Sequence, residues 1–182
     1  MLYAADTAIL DEIKQVKEWG ILGKVTTNPS LMKQAGAKEF EAYMKEICVV
    51  AGSDVPVSFE VVDLRTEDMV RQGQTLMEKF NGVAGNVTVK IPVSTATEPG
   101  KFNYDGIEAI YQLSQRGVPI NATLIFTPEQ AVAAAAAGAT YLSPFVGRID
   151  DYLRTDKLGC KAVKENPGQG EFTKNDYFPC RG

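Results

Sequence analysis

The sequence predicts an α/β fold of the (β/α)8 barrel class, with about six of the eight strand–helix units present. Three observations predict it. Short runs rich in β-branched residues alternate with helical stretches over residues 2–145, a pattern that implies parallel strands joined by right-handed crossovers. Within these runs one parity is apolar, and the other carries polar groups towards the C-terminal end. An open doubly wound sheet, covered on both faces, would read as nearly all apolar. Last, the alternation stops near residue 145 and the sequence then turns polar.

The elements follow in order. Residues 2–6 form a strand, and Thr7 is placed to cap a helix over 8–19 that Gly20 and Gly23 end. Residues 24–28 are a short strand. Pro29 and Ser30 open a helix towards Gly52, interrupted near Gly36. Residues 56–62 are the third strand. A helix over 66–80 follows, with Thr66 as its cap, and 86–92 is the fourth strand. Residues 104–116 are helical up to Gly117, and 119–126 is the fifth strand. Pro128 starts an alanine-rich helix, a good helix former despite its low complexity. Residues 141–145 are the sixth strand. Residues 1–153 are thus an incomplete barrel domain, and 154–182 read as a polar loop or disordered tail. Six units leave two open edges, so the isolated chain is expected to self-associate, aggregate or show little activity.

Composition narrows the function. The formal net charge is −4 and no long basic run occurs, which gives no support to nucleic-acid binding. No stretch approaches the roughly 20 apolar residues of a membrane span, and the N-terminus lacks the pattern of a signal peptide. Cys48, Cys160 and Cys180 are odd in number and far apart, which fits a reducing cytoplasm better than a disulfide framework or a zinc site. Histidine is absent. The chemistry must therefore run on lysine, carboxylates, hydroxyls and amides.

Lys90 is the residue around which such chemistry can be built. It lies within Asn86-Val87-Thr88-Val89-Lys90-Ile91-Pro92-Val93, where alternation puts Asn86, Thr88 and Lys90 on one face. Alone, it reads most simply as an edge-strand lysine in water. The other strands argue against that, because the same parity carries Asp6, Thr26 and Asn28, Ser58 and Glu60, Asn121 and Thr123, and Ser143. A buried lysine that loses its proton can attack a carbonyl and form an imine, an electron sink for breaking the adjacent carbon–carbon bond. That retro-aldol step needs a base for the far hydroxyl, for which Asp6 is a candidate. It also needs proton transfers during imine formation, for which Glu60 is a candidate through a water held by Thr123. Asn28 and Asn121 can hold sugar hydroxyls. Structural roles compete for each: a helix cap for Asp6-Thr7, a turn for Asn28-Pro29, an ion pair between Glu60 and Lys90. Ser143-Pro144-Phe145-Val146-Gly147-Arg148 suits phosphate, with Arg148 offering a planar fork, although Arg148 could also be a solvated partner of Asp150 and Asp151.

Taken together, Ala5-Asp6-Thr7, Val25-Thr26-Thr27-Asn28-Pro29-Ser30, Ser58-Phe59-Glu60-Val61, Val89-Lys90-Ile91-Pro92, Asn121-Ala122-Thr123-Leu124-Ile125-Phe126 and Ser143-Pro144-Phe145-Val146-Gly147-Arg148 resemble the transaldolase family. The resemblance is to the small-subunit branch that includes fructose 6-phosphate aldolase, and it covers roughly residues 1–153. It implies a metal-free class I (β/α)8 enzyme with no cofactor, acting on sugar phosphates in the pentose phosphate pathway, with homo-oligomer formation left open. It also implies Lys90 as the Schiff-base lysine, Asp6 and Glu60 as acid/base groups, and Thr123 as the residue that positions the water. Thr26, Asn28, Asn121 and Phe145 would line the substrate site, and Ser143 and Arg148 would hold phosphate. Glu60 and Phe145 resemble the transaldolase type, whereas the aldolase type has Gln and Tyr there. The family's seventh and eighth strands, with a further phosphate-binding residue, find no match. A transaldolase is the leading expectation. A fructose 6-phosphate-type aldolase and an inactive or sugar-phosphate-binding remnant are the alternatives.

Overall fold

In the computed structural model, residues 2–97 and 101–147 are described. The chain divides into a unit of residues 1–143 and one of residues 144–182, each taken by itself. The first holds the strands β1 (Tyr3–Asp6), β2 (Leu22–Thr26), β3 (Val57–Glu60), β4 (Val87–Pro92) and β5 (Ile120–Ile125), and all but the last residue of β6 (Tyr141–Pro144). They form one six-stranded sheet in the order β1-β2-β3-β4-β5-β6, a curled part of a parallel barrel. Sequential order in space is what successive crossovers of one hand produce. Of the second unit, Phe145 is half-buried and Val146 is exposed. Arg148 and the expected tail at 154–182 lie outside the described residues.

The helices are α1 (Leu10–Glu18), α2 (Pro29–Gln34), α3 (Phe40–Ala51), α4 (Thr66–Leu76), the short α5 (Gly82–Ala84), α6 (Asp105–Ser114) and α7 (Pro128–Ala136). Their apolar stripes meet the outward parity of the sheet. Ile13 of α1 and Ile47 and Cys48 of α3 pack with Val25, Val57, Phe59 and Val87. Met69 of α4, Ile110 and Leu113 of α6, and Ala134 of α7 pack with Val89, Ile91, Val93 and Ala122. The alanines of α7 follow a capping box, in which Thr127 accepts from the Gln130 amide and the Gln130 side chain reaches back. At Gly106 a Cβ would stand 1.8 Å from the Pro92 carbonyl oxygen, so glycine lets the start of α6 close against the end of β4.

Several local expectations are corrected. Thr7 does not cap α1: Ile9 holds the N-cap position, and the Thr7 hydroxyl accepts from the Ile9 amide at 3.0 Å in a local turn. Thr66 is the first residue of α4, not its cap, and its hydroxyl faces Asp105 Oδ1 at 3.1 Å, joining the starts of α4 and α6. The helix expected to run to residue 80 turns into a π-helical segment at Met77–Asn81. β2 spans Leu22–Thr26, so Asn28 leaves the strand and becomes the N-cap of α2, its side chain accepting from Leu31 N at 3.0 Å. Pro29, pre-set for a first helical turn, enforces that change.

Candidate active site

Parallel register sets the polar residues in rows across the inner face. Asp6 lies beside Thr26, Thr26 beside Ser58, and Ser58 beside Thr88. One row higher, Glu60 lies beside Lys90 and Lys90 beside Asn121, and above them Pro92 lies beside Thr123. The edge-strand reading of Lys90 is overturned: β4 sits inside the sheet, and Lys90 is only 4% exposed. The Lys90 Nζ is 3.5 Å from Glu60 Oε2. Burial pushes the Glu60 carboxyl above its ordinary range. The Lys90 charge opposes that shift and the Asp6 charge adds to it.

Around this pair runs a chain of neutral hydrogen bonds. The Ser143 hydroxyl donates to Asn121 Oδ1 at 2.9 Å, and Asn121 Nδ2 donates to the Ser58 hydroxyl at 3.3 Å. The Asn121 amide is thereby oriented by a bond at each end. The Thr26 hydroxyl donates to Asp6 Oδ1 at 2.6 Å, so Asp6 is held by its neighbour strand and does not cap α1. Asn28 uses its oxygen as the cap of α2, and its NH2 group makes no hydrogen bond among the described residues. The Thr123 hydroxyl is buried without a hydrogen-bond partner among the described residues. A buried hydroxyl in that state is matched to a ligand or a water. Leu124, next along, takes the left-handed backbone conformation at φ 55°, costing about 1–2 kcal/mol. Such local strain is found where a strand end must be re-aimed.

Beside Glu60 and Asn28 a small cleft opens, lined mostly by apolar groups such as Met32, Phe40, Met44 and Phe59. Among the described residues no group of three or more His, Cys, Asp or Glu could hold a metal. No helix among them is long and apolar enough to cross a membrane.

The structure brings together Asp6 with Thr26, Glu60 with Lys90, and Ser58, Asn121 and Ser143 with one another. Phe145 belongs to the second unit. Sequence reasoning overlooked Lys24. It shares the inward parity of Thr26, is 8% exposed, and sets its Nζ 3.6 Å above the centre of the Tyr141 ring. The alternation Lys24, Thr26, Asn28 was the available signal.

A part of a parallel (β/α) barrel with a buried lysine–carboxylate pair towards the C-terminal ends of its strands is the class of protein that fold and site define. The comparisons narrow that class. The family model described as transaldolase/fructose-6-phosphate aldolase matches residues 3–174, and the chain belongs to that family. Curated relatives include a probable transaldolase of Exiguobacterium sibiricum, 45% identical over 87% of this chain and 66% of the relative. Others are a probable transaldolase of Aquifex aeolicus, 45% identical over 83% of this chain and 62% of the relative, and one of a Hydrogenobaculum species, 46% identical over 87% and 65%. The chain therefore spans a little under two thirds of the length of these relatives.

Proposed function

We propose that Lys90 forms a Schiff base with a ketose phosphate and that the chain serves transaldolase chemistry, moving a dihydroxyacetone unit to an aldose phosphate. The observation that carries this is the Lys90–Glu60 pair, buried in mid-sheet at 3.5 Å and bordered by the held Asn121 amide. The Lys90 amine must be neutral to attack, and Glu60 is the adjacent group that can take its proton. Attack on the ketose C2 forms the carbon–nitrogen bond, and loss of water with a proton from Glu60 completes the iminium. The iminium then accepts the electron pair as the C3–C4 bond breaks, while Asp6 takes the C4 hydroxyl proton. The raised Glu60 pKa suits a group that must both give and take a proton near neutral pH. Thr123 holds a water between Glu60 and the reacting carbon, and Thr26 keeps Asp6 in place. Asn28 and Asn121 hold substrate hydroxyls and Ser143 binds phosphate; for Phe145 and Arg148, substrate and phosphate roles follow from the family resemblance alone.

The test is acceptor dependence. With fructose 6-phosphate, the chain should transfer the three-carbon unit when an aldose phosphate is present and release little free dihydroxyacetone when it is not. Ready release without an acceptor would give the assignment to the aldolase reaction instead.

A further inference from the structure

We infer that Lys24 is a second carbonyl-reactive amine of the barrel interior, a site at which small aldehydes form an imine. Placement is the first ground. Thr26 is in register with Ser58 and Ser58 with Thr88, so Lys24 lies two residues below that row and Lys90 two residues above it. Both side chains take the inward parity. The second ground is the lack of any counter-ion. Glu60 pairs with Lys90, and the Lys24 side chain makes no hydrogen bond or ion pair among the described residues. Its seat is the face of Tyr141, on the inward parity of β6 with Ser143. Lys24 is 8% exposed, which restricts the site to small reagents.

The electrostatics agree. The titratable groups on the inward parity of the surrounding strands are Asp6, Glu60, Lys90 and Tyr141. Burial first, and the Lys90 charge second, lower the Lys24 pKa to about 7. The ring face attracts the ammonium and works against this shift, by an amount on the order of 1 kcal/mol. At neutral pH an appreciable share of Lys24 is therefore free amine. An exposed lysine with a pKa near 10.4 has only about one part in a few thousand in that form. The step balances without a co-reactant. The nitrogen lone pair bonds to the aldehyde carbon, and the proton moves from nitrogen to oxygen. The carbon–oxygen bond then breaks and water leaves. This inference does not rest on Lys90 forming an imine.

The experiment uses the unaltered chain, glycolaldehyde as probe and cyanoborohydride as trap, over pH 6 to 9, with peptide mass mapping of every lysine. Lys24 should label at pH 7 at least tenfold faster than exposed lysines such as Lys14, and its rate should level off above pH 7 while theirs keep rising. In Lys90→Met the like charge is gone, so the midpoint for Lys24 should move to higher pH. Failure of Lys24 to label at pH 7 while exposed lysines do would overturn the inference. So would labelling of Lys24 that climbs with pH in parallel with theirs. Fructose 6-phosphate trapping at Lys90, read on separate samples, reports on the proposed function alone, and either result can stand without the other.

Discussion

Asn86 offers the best-defined perturbation outside the reacting groups. It is 5% exposed, and its Nδ2 lies 3.1, 2.9 and 3.1 Å from the carbonyl oxygens of Cys48, Gly52 and Val55. Its own carbonyl accepts from Val57 N at 2.8 Å. It thus ties the turn between α3 and β3 to the foot of β4, and so helps to set the register that puts Glu60 beside Lys90. Asn86→Ala removes two N–H donors, each contributing about 1 kcal/mol net. Cys48 O and Gly52 O keep backbone donors, from Gly52 N and Val55 N, whereas the Asn86 amide is the donor the structure gives Val55 O. Leaving that carbonyl unpaired adds roughly 1–3 kcal/mol. Deleting Asn86 Oδ1, itself buried without a partner, returns part of this. The expected loss is about 2–3 kcal/mol, large against a typical 5–15 kcal/mol of native stability. Asn86→Asp should cost more, because a carboxylate cannot donate to three carbonyls. Urea unfolding followed by circular dichroism measures both. A loss under about 0.5 kcal/mol for Asn86→Ala would refute the claim that this amide fastens the turn.

The other predictions are briefer. Gly106→Ala forces a methyl to within 1.8 Å of the Pro92 oxygen, so α6 must move off β4; the midpoint in urea should fall sharply, and a wild-type midpoint would contradict the close approach. Glu60 has a raised pKa, so its protonated form persists to higher pH than in a free glutamate. Imine formation should then show an acid limb above the ordinary glutamate range, which Glu60→Gln abolishes; an unchanged limb would assign it to another group. Glu60→Gln combined with Phe145→Tyr should raise release of free dihydroxyacetone relative to transfer, as read by a coupled assay with and without acceptor. Cys48 is fully buried and its thiol is pushed up to about 11. It should resist alkylation at pH 8 in the folded chain, and its contribution to stability should fall from about pH 9 to about pH 11, where the unfolded thiol ionises and the folded one does not.

The strand order and the inner parity were legible because alternation in short β-branched runs reports directly on which face is buried. Lys90, Glu60, Asn121 and Ser143 were found that way, and the structure joins them by register and hydrogen bonds. The caps were less legible. Thr7 and Thr66 are good capping types, but one turns its hydroxyl to the next amide but one and the other to Asp105, a partner 39 residues away. The sequence alone places Asn28 in a strand, because nothing in a five-residue run marks where Pro29 ends it. Asn86 was read only as a member of the polar face, and its three carbonyl partners depend on how the α3–β3 turn folds back. Lys24 carried the right parity, but a lysine early in a short strand resembles an ordinary surface residue until the neighbouring strands bury it.

The central claim is that Lys90 is the imine-forming amine. Borohydride reduction of the chain in the presence of fructose 6-phosphate, followed by peptide mass mapping, tests it directly. The account predicts a reduced sugar adduct on the peptide carrying Lys90, lost in Lys90→Met. An adduct on another lysine, or one of undiminished yield in Lys90→Met, would contradict it.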